Sequence, residues 1–258
     1  MNTILNQIIE NKEKEVAIAQ RMEPVQRLQE KPLYHRQGHS LSDRLRGSAS
    51  IIAEFKRKSP SKGEINVNAK VQPTVQEYAG YGAAGISVLT DEKFFGGDLY
   101  DFSQAREVLA IPLLRKDFII SEYQIHQSKA YGADVILLIA ACLSPLQVQQ
   151  LSGLAKSLGM ETLLELHTQE ELGHYNPGID LVGINNRDLH SFSVDLSRSA
   201  SLASKLPPEA VRVAESGIHS VEDCLFLLQR GFNGVLMGEY FMKHEKPGLA
   251  FKNFNESL

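Results

Sequence analysis

Five short apolar runs of this chain end in side chains that can carry or bind a proton. One charged residue at the end of a buried strand could be accidental, but five such ends describe one wall of a site. The residues at these ends are Glu54 and Lys56 (run 51–56), Lys116 (113–118), Glu165 (162–166), Asn185 and Arg187 (183–187), and Glu215 and Ser216 (211–217). Ammonium groups can donate protons and carboxylates can accept them, so the pattern predicts an enzyme that uses acid–base chemistry.

Eight apolar runs predict eight β-strands that would position these groups. Each run is followed by a segment of helical composition, for example 121–131, 144–158 and 220–230, and Ser121, Ser144 and Ser220 are predicted as helix N-caps. Four glycines that precede strands are predicted to end helices in the left-handed conformation, namely Gly82, Gly132, Gly178 and Gly231. The predicted strands lie near 51–55, 85–90, 112–116, 135–140, 161–166, 181–185, 211–215 and 234–238.

Strands that alternate with helices in this way predict an α/β protein with a closed parallel (β/α)₈ TIM barrel. An open doubly wound sheet is the alternative. It is disfavoured because no G-x-G-x-x-G follows the first strand and no edge strand is apparent. In a (β/α)₈ barrel the active site lies at the carboxyl ends of the strands, which is where the charged residues fall.

The first 47 residues lie outside the eightfold repeat. Apolar and charged positions alternate from Ile4 to Met22 at helical spacing, which predicts an amphipathic helix that ends before Pro24. We therefore expect residues 1–258 to form a single barrel domain, of which 1–47 is a helical extension. The extension could be a lid across the barrel mouth, or a plug at the bottom of the barrel that adds only stability.

Composition excludes several classes of protein. The sequence contains no apolar stretch of about 18–20 residues and no signal peptide, so a cytoplasmic protein without a membrane partner is expected. The formal net charge of −4 argues against nucleic acid as a partner, but it allows a small anionic ligand. Cys142 and Cys224 are predicted to be buried thiols. The histidines form no ligand motif, so no metal and no organic cofactor is predicted.

Glu54 and Lys56 are two residues apart on a strand, so both side chains point to the same face. In the mouth of a barrel such a pair can stay ionised, because each partner offsets the desolvation of the other. The alternative is that Glu54, Lys56, Lys116 and Glu165 form a structural network of ion pairs that plugs the top of the barrel.

Six segments of the sequence resemble the indole-3-glycerol phosphate synthase family of tryptophan biosynthesis. Several are long, and their order along the chain fits the family. Leu166 departs from the valine or isoleucine common in the family, and bulkier residues than expected follow Glu239. The segments are 51–63, 86–97, 114–118, 165–168, 183–189 and 214–218.

The resemblance implies ring closure of a carboxyphenylamino-deoxyribulose 5-phosphate, with release of carbon dioxide and water. The partner is therefore a phosphorylated small molecule. Lys116 is implied as the general acid that protonates the developing alkoxide, and Glu165 and Lys56 are implied in the loss of hydroxide. Which lysine serves which proton transfer is left open. Orienting and substrate-binding roles are implied for Glu54, Asn185, Glu215 and Ser216.

The phosphate of such a substrate needs hydrogen-bond donors. Gly217 and Gly238 follow strands seven and eight, the usual phosphate site of this fold, and the amide of Glu239 would also face the phosphate. The hydroxyl of Ser59 in the first loop would add a further donor. The alternative is that these segments are ordinary turns between strands and helices.

The anthranilate ring of the substrate needs an apolar slot. Phe95, Phe118, Leu137 and Ile139 stand at strand ends and can supply it, although the last two could equally belong to the core. Arg187 is expected to reach the region of the substrate carboxylate, with a salt bridge to a neighbouring loop as the alternative.

Two other functions compete with this interpretation. Phosphoribosylanthranilate isomerase relies on a cysteine near the end of the first strand, where this chain has Glu54 and Lys56 and no cysteine before Cys142. A barrel that only bound a phosphorylated metabolite or a partner enzyme would be expected to lose at least one of the two lysines or Glu165. The oligomeric state is left open, with a monomer as the simplest interpretation.

Overall fold

The computed structural model describes residues 4–47, 50–188 and 193–258. At its centre is a closed barrel in which eight parallel strands pair in chain order and the last pairs with the first. The strands are β1 Ile51–Phe55, β2 Gly85–Leu89, β3 Leu113–Lys116, β4 Val135–Ile139, β5 Glu161–Leu166, β6 Leu181–Asn185, β7 Val211–Glu215 and β8 Gly234–Met237. The predicted TIM barrel is confirmed, and every predicted strand lies within about one residue of its observed bounds.

Helices surround the barrel and bury its outer face. Those before the barrel are α1 Ile4–Met22, α2 Val25–Gln29 and α3 Leu41–Arg46, with a 3₁₀ helix at Pro32–His35. Those after β1 are α4 Val71–Gly80, α5 Glu92–Phe95, α6 Leu99–Val108, α7 Glu122–Ala130, α8 Pro145–Ser157, α9 Leu196–Ala203, α10 Val221–Leu228, α11 Glu239–Met242 and α12 Pro247–Asn255. Two further 3₁₀ helices lie at Ala140–Cys142 and Glu170–His174. Within the described ranges no helix is both long and apolar enough to cross a membrane.

The helix expected after the fifth strand is replaced by the 3₁₀ helix at Glu170–His174. Gly173 and Pro177 interrupt this connection, and both are poor in the interior of an α-helix. Gly178 lies within a turn over residues 176–179 that does not follow an α-helix, and its φ is outside the left-handed region. The prediction of a left-handed helix cap at Gly178 is therefore wrong.

The other predicted helix ends are mostly confirmed. Gly82, Gly132 and Gly231 have φ values of 96°, 85° and 86°. Ser144 and Ser220 each accept a hydrogen bond from a backbone amide in the first turn of their helix. At the third predicted N-cap, Ser121 makes no such bond.

The N-terminal extension reaches both ends of the barrel. At the bottom, Leu41 and Leu45 of α3 pack into the apolar interior of the barrel. The carboxylate of Glu161, the first residue of β5, accepts hydrogen bonds from the amides of Leu41 and Ser42 at the start of α3, at 2.8 and 3.0 Å. At the top, residues of α1 line the cavity described below. The extension therefore contacts both the mouth and the bottom of the barrel, and its role as a lid stays a prediction.

Candidate active site

A cavity of about 580 Å³ opens at the carboxyl end of the barrel. All of the site residues that the sequence predicts line this cavity, because the ends of parallel strands and the loops that follow them converge there. They are Glu54, Lys56, Ser59, Phe95, Lys116, Phe118, Leu137, Ile139, Glu165, Asn185, Arg187, Glu215, Ser216, Gly217, Gly238 and Glu239.

The floor of the cavity is an ionic layer of the barrel interior. In this fold alternate strands contribute the four side chains of one layer. The odd-numbered strands supply the top layer with Glu54 from β1, Lys116 from β3, Glu165 from β5 and Glu215 from β7. Two residues earlier on the same strands the layer is apolar and buried, with Ile52, Leu114, Leu163 and Val213. The charged residues therefore rest on a packed core and face an open cavity, which argues against a mere ionic plug.

Lys116 is the centre of this layer. Its ammonium Nζ donates to Glu165 Oε2 at 2.8 Å and to Glu215 Oε2 at 3.0 Å. Burial by itself would lower the pKa of Lys116, but the carboxylates of Glu165, Glu215 and Glu54 outweigh burial and raise it. The lysine is therefore an ammonium ion at neutral pH.

The two glutamates beside Lys116 differ in their surroundings. Glu165 also accepts a hydrogen bond from Asn185 Nδ2 at 2.9 Å, and its Oε1 lies 3.2 Å from His167 Nε2. Burial would raise the pKa of Glu165, but Lys116 and His167 lower it well below the ordinary value. Glu165 is therefore an ionised carboxylate at neutral pH.

Glu215 lacks these additional partners. Its Oε1 has no hydrogen-bond partner among the described residues. Burial raises the pKa of Glu215 to about 7; Lys116 opposes the rise, whereas the nearby charges of Glu165 and Glu54 add to it. A Cβ atom at Gly183 would lie 2.1 Å from Glu215 Oε1, so only glycine leaves room for this carboxylate.

A second lysine–carboxylate pair stands at the carboxyl end of the first strand, where Lys56 directly follows β1. Lys56 Nζ lies 2.7 Å from Glu54 Oε1, as expected for two residues on one face of a strand. A Cβ atom at Gly238 would come within 2.7 Å of the same Oε1 atom. The glycine that follows β8 therefore allows the first and last strands to approach at the cavity.

The loop after β7 has an unusual backbone. Ser216 is the only residue other than glycine with a positive φ in the described chain, at 68°, and Gly217 follows at 69°. A left-handed conformation is unfavourable for serine by about 1 kcal/mol or more and tends to occur at binding sites. This conformation places Ser216 and Gly217 in the cavity wall beside Gly238 and Glu239.

Arg187 makes the salt bridge that the sequence offered as its alternative role. Its Nη2 lies 3.7 Å from Glu239 Oε2, and Lys62 Nζ lies 3.3 Å from Glu239 Oε1. The Glu239 carboxylate therefore faces two cations. A role for Arg187 toward a substrate carboxylate stays a prediction.

The apolar part of the cavity combines residues from three regions. The rings of Phe95 and Phe118 have centroids 6.0 Å apart and are tilted by 41°. Leu137 and Ile139 of β4 belong both to the barrel core and to the cavity lining. Ile4, Leu5 and Ile8 of α1 also line the cavity, and these residues were not identified from the sequence.

His167 is a polar residue of the cavity lining that was not predicted as a site residue from the sequence. Its ring is buried, and the carboxylates of Glu165, Glu171 and Glu215 raise its pKa although burial opposes this. The signal was present, since Glu165 and His167 are two residues apart at a strand end and share a face. Among the described residues no set of three or more histidine, cysteine or acidic side chains is arranged to hold a metal ion.

Comparisons with known proteins agree with this site. The family model of indole-3-glycerol phosphate synthase matches residues 5–254. A relative of that name from Bacteroides thetaiotaomicron is 46% identical over 259 residues, which covers 100% of both chains. Another of the same name from Verminephrobacter eiseniae is 41% identical and covers 97% of this chain and 98% of its own.

Solved structures show the same fold at low identity. Thiamine phosphate pyrophosphorylase from Pyrococcus furiosus has a TM-score of 0.62 and 15% identity, and the match covers 84% of this chain and 96% of that one. Tryptophan synthase subunit alpha from Legionella pneumophila has a TM-score of 0.60 and 13% identity, with coverage of 84% and 97%. These likenesses concern the barrel alone.

Function follows from the family match, which spans nearly the whole chain. The chain belongs to the indole-3-glycerol phosphate synthase family, and its activity is the carboxy-lyase reaction by which that family forms indole-3-glycerol phosphate in tryptophan biosynthesis.

Proposed function

We propose that the ionic layer at the barrel mouth performs the two proton-transfer stages of indole ring closure. The observation that carries the proposal is the ammonium group of Lys116, held between Glu165 and Glu215 at 2.8 and 3.0 Å. The substrate is a carboxyphenylamino-deoxyribulose 5-phosphate. A cavity of about 580 Å³ is of the size that encloses a ligand of this class.

The substrate lies across the cavity with its two ends recognised separately. The phosphate binds at the loops after β7 and β8, where the amides of Gly217, Gly238 and Glu239 and the hydroxyl of Ser59 supply donors. The cation of Lys62 adds positive charge at this end. The aromatic ring lies in the apolar part of the cavity.

The first stage forms the new carbon–carbon bond. The aromatic carbon that bears the carboxylate attacks the ribulose carbonyl, and the carbonyl oxygen takes a proton from Lys116 as charge develops on it. The carboxylates of Glu165 and Glu215 hold the lysine in its acidic form and in place. Loss of carbon dioxide then restores the aromatic ring, because the electrons of the broken carbon–carbon bond return to it.

The second stage removes water. The hydroxyl group formed in the first stage leaves with a proton from Lys56, and the five-membered ring gives up one proton to the Glu165 carboxylate. Glu54 holds the ammonium group of Lys56 in position at 2.7 Å. Asn185 orients Glu165, and the Ser216 hydroxyl binds the substrate.

A single-turnover experiment separates the two stages. Carbon dioxide release and indole fluorescence are followed together, and the absence of tryptophan from the chain keeps the fluorescence background low. Lys116→Met should slow both signals equally. Lys56→Met and Glu165→Gln should release carbon dioxide faster than the indole signal appears. Equal slowing of both signals in all three variants would contradict the division into stages.

We further propose that the enzyme works in the cytoplasm as a monomer and binds neither nucleic acid nor membrane. The formal net charge of −4 supports the expectation that nucleic acid is not a partner. Light scattering at the protein concentration of the assay, together with specific activity that is constant on dilution, tests the monomeric state. Activity that falls as a larger species dissociates would contradict it.

A further inference from the structure

Lys12 of α1 is a buried cation that the proposed reaction does not use. Only 3% of the residue is exposed, although it lies in a helix whose neighbouring charged residues face solvent. Its Nζ lies 2.7 Å from Glu15 Oε2, 2.9 Å from Asp117 Oδ1 and 3.0 Å from Asp91 Oδ2. Burying an ammonium group so completely is unfavourable unless its partners are fixed.

The two aspartates belong to the loops that carry the aromatic residues of the cavity. Asp91 Oδ1 accepts a hydrogen bond from Phe94 N at 2.9 Å and so caps α5, the short helix that ends at Phe95. Asp117 Oδ1 accepts one from Phe118 N at 2.8 Å. Each carboxylate therefore orients the backbone next to one of the two rings.

The two carboxylates depend on Lys12 to different degrees. Asp117 has a second cation, since Arg115 Nη2 lies 2.9 Å from its Oδ2. Among the described residues, Asp91 forms an ion pair only with Lys12, and its side chain is fully buried. Without Lys12, Asp91 would be a buried carboxylate with no compensating cation, and the loop that bears Phe95 would have to move to hydrate it.

We propose that Lys12 is a positioning residue for the aromatic slot. By holding Asp91 and Asp117 together, Lys12 sets the spacing of the two aromatic rings, Phe95 and Phe118. The N-terminal helix then does more than cover the cavity, because its buried lysine determines the affinity of the site for the aromatic end of the substrate. This inference rests on the proposed placement of the substrate ring between these residues. It leaves the phosphate end of the cavity unaffected, because Lys12 contacts none of its residues.

The test measures the two ends of the site separately. An N-alkylated anthranilate serves as the aromatic probe and inorganic phosphate as the other, each titrated by calorimetry. Lys12→Met should weaken binding of the aromatic probe by about tenfold or more and raise KM similarly, while the Kd for phosphate stays within about twofold. Lys14→Met, which removes an exposed lysine from the same helix, should leave KM and the Kd values for both probes unchanged.

A second variant shows whether the effect passes through Asp91. Asp91→Asn keeps the oxygen that caps α5 but removes the charge that Lys12 neutralises. The double variant Lys12→Met/Asp91→Asn should therefore recover most of the affinity for the aromatic probe. If Lys12→Met does not fold, the double variant is measured in its place. Wild-type affinity in Lys12→Met, equal loss of both probes, or no recovery in the double variant would each overturn the proposal. A wild-type protein that binds the aromatic probe but forms no indole would contradict the proposed function and leave the assignment of Lys12 intact.

Discussion

Replacement of Lys116 by methionine is the most direct perturbation of the ionic layer. Methionine keeps an unbranched chain but removes the ammonium group that both Glu165 and Glu215 contact. Loss of a positioned general acid lowers kcat by about 10²–10⁴, which corresponds to about 3–5 kcal/mol in the activation free energy.

The effect on stability can be worked out from the same contacts. Removing one partner of a buried ion pair destabilises a protein by about 3–5 kcal/mol when the other charge stays uncompensated. Glu165 keeps Asn185 and His167 as partners. Because the pKa of Glu215 is already about 7, this residue takes up a proton near neutral pH at little cost. We therefore expect a loss of only about 1–2 kcal/mol at pH 6.

The loss of stability in Lys116→Met should grow with pH. Without the lysine the pKa of Glu215 rises further in the folded state, so folding binds a proton that the unfolded chain does not hold. A raised folded pKa gives stability that is lost as pH rises through it, so the difference from wild type should be larger at pH 9 than at pH 6. Urea unfolding at the two pH values measures this, and the indole signal measures kcat.

The control for this variant is Lys14→Met, in which an exposed lysine is removed. Neither its kcat nor its free energy of unfolding should change. Near-wild-type kcat in Lys116→Met would remove Lys116 from the acid role. A loss of stability that is the same at pH 6 and pH 9 would show that Glu215 does not take up the compensating proton.

Four further predictions concern the same cavity. Glu165→Gln should slow the chemical steps while the Kd for inorganic phosphate stays within about tenfold, because a proton acceptor is lost and the phosphate contacts are not. Removal of residues 1–7, which spares Ile8, Lys12 and all of α3, should raise KM with little change in Tm, because it uncovers the apolar part of the cavity. Burial raises the pKa of Glu215 from 4.5 to about 7, so protonated Glu215 stabilises the wild-type fold at low pH and this contribution is lost as pH rises. Glu215→Gln cannot titrate at this position, so the wild-type free energy of unfolding should fall relative to that of the variant between pH 4.5 and about 7. Gly183→Ala should lower kcat, because the new Cβ would lie 2.1 Å from Glu215 Oε1 and displace it from Lys116, whereas Gly153→Ala on a helix surface should not.

Each of these has an outcome that would contradict it. Abolished phosphate binding with normal chemistry would make Glu165 a binding residue. A shortened chain that melts earlier but keeps wild-type KM and kcat would make the start of α1 purely structural. Parallel pH–stability curves for wild type and Glu215→Gln would show that folding does not raise the pKa of this glutamate. Equal kcat in both alanine variants would show that the Glu215 carboxylate has room to move without effect.

Much of the site follows from the sequence because a parallel barrel imposes a simple pattern. Its strands are buried on both faces and therefore appear as short continuous apolar runs, and their polar ends must converge at one rim. Glu54, Lys116, Glu165 and Glu215 could be assigned to one site on this basis alone. The left-handed glycines at Gly82, Gly132 and Gly231 follow from local geometry, whereas Gly178 fails because a proline turn replaces the helix that it was expected to end.

The tertiary structure determines the contacts between residues that are distant in the chain, which the local sequence does not reveal. Lys12 has the sequence neighbourhood of a solvated helical lysine, and it is buried only because Asp91 and Asp117, distant in the chain, meet it above the barrel. Glu165 and Glu215 occupy equivalent positions on their strands, but the pKa of one is lowered and that of the other is raised. His167 and Asn185 stabilise the charge of Glu165, whereas Lys116 is the only side chain in the described part of the chain that hydrogen-bonds to the Glu215 carboxylate. Strand periodicity therefore determines which groups reach the cavity, and the number and charge of their neighbours in space determine which of them keep a proton.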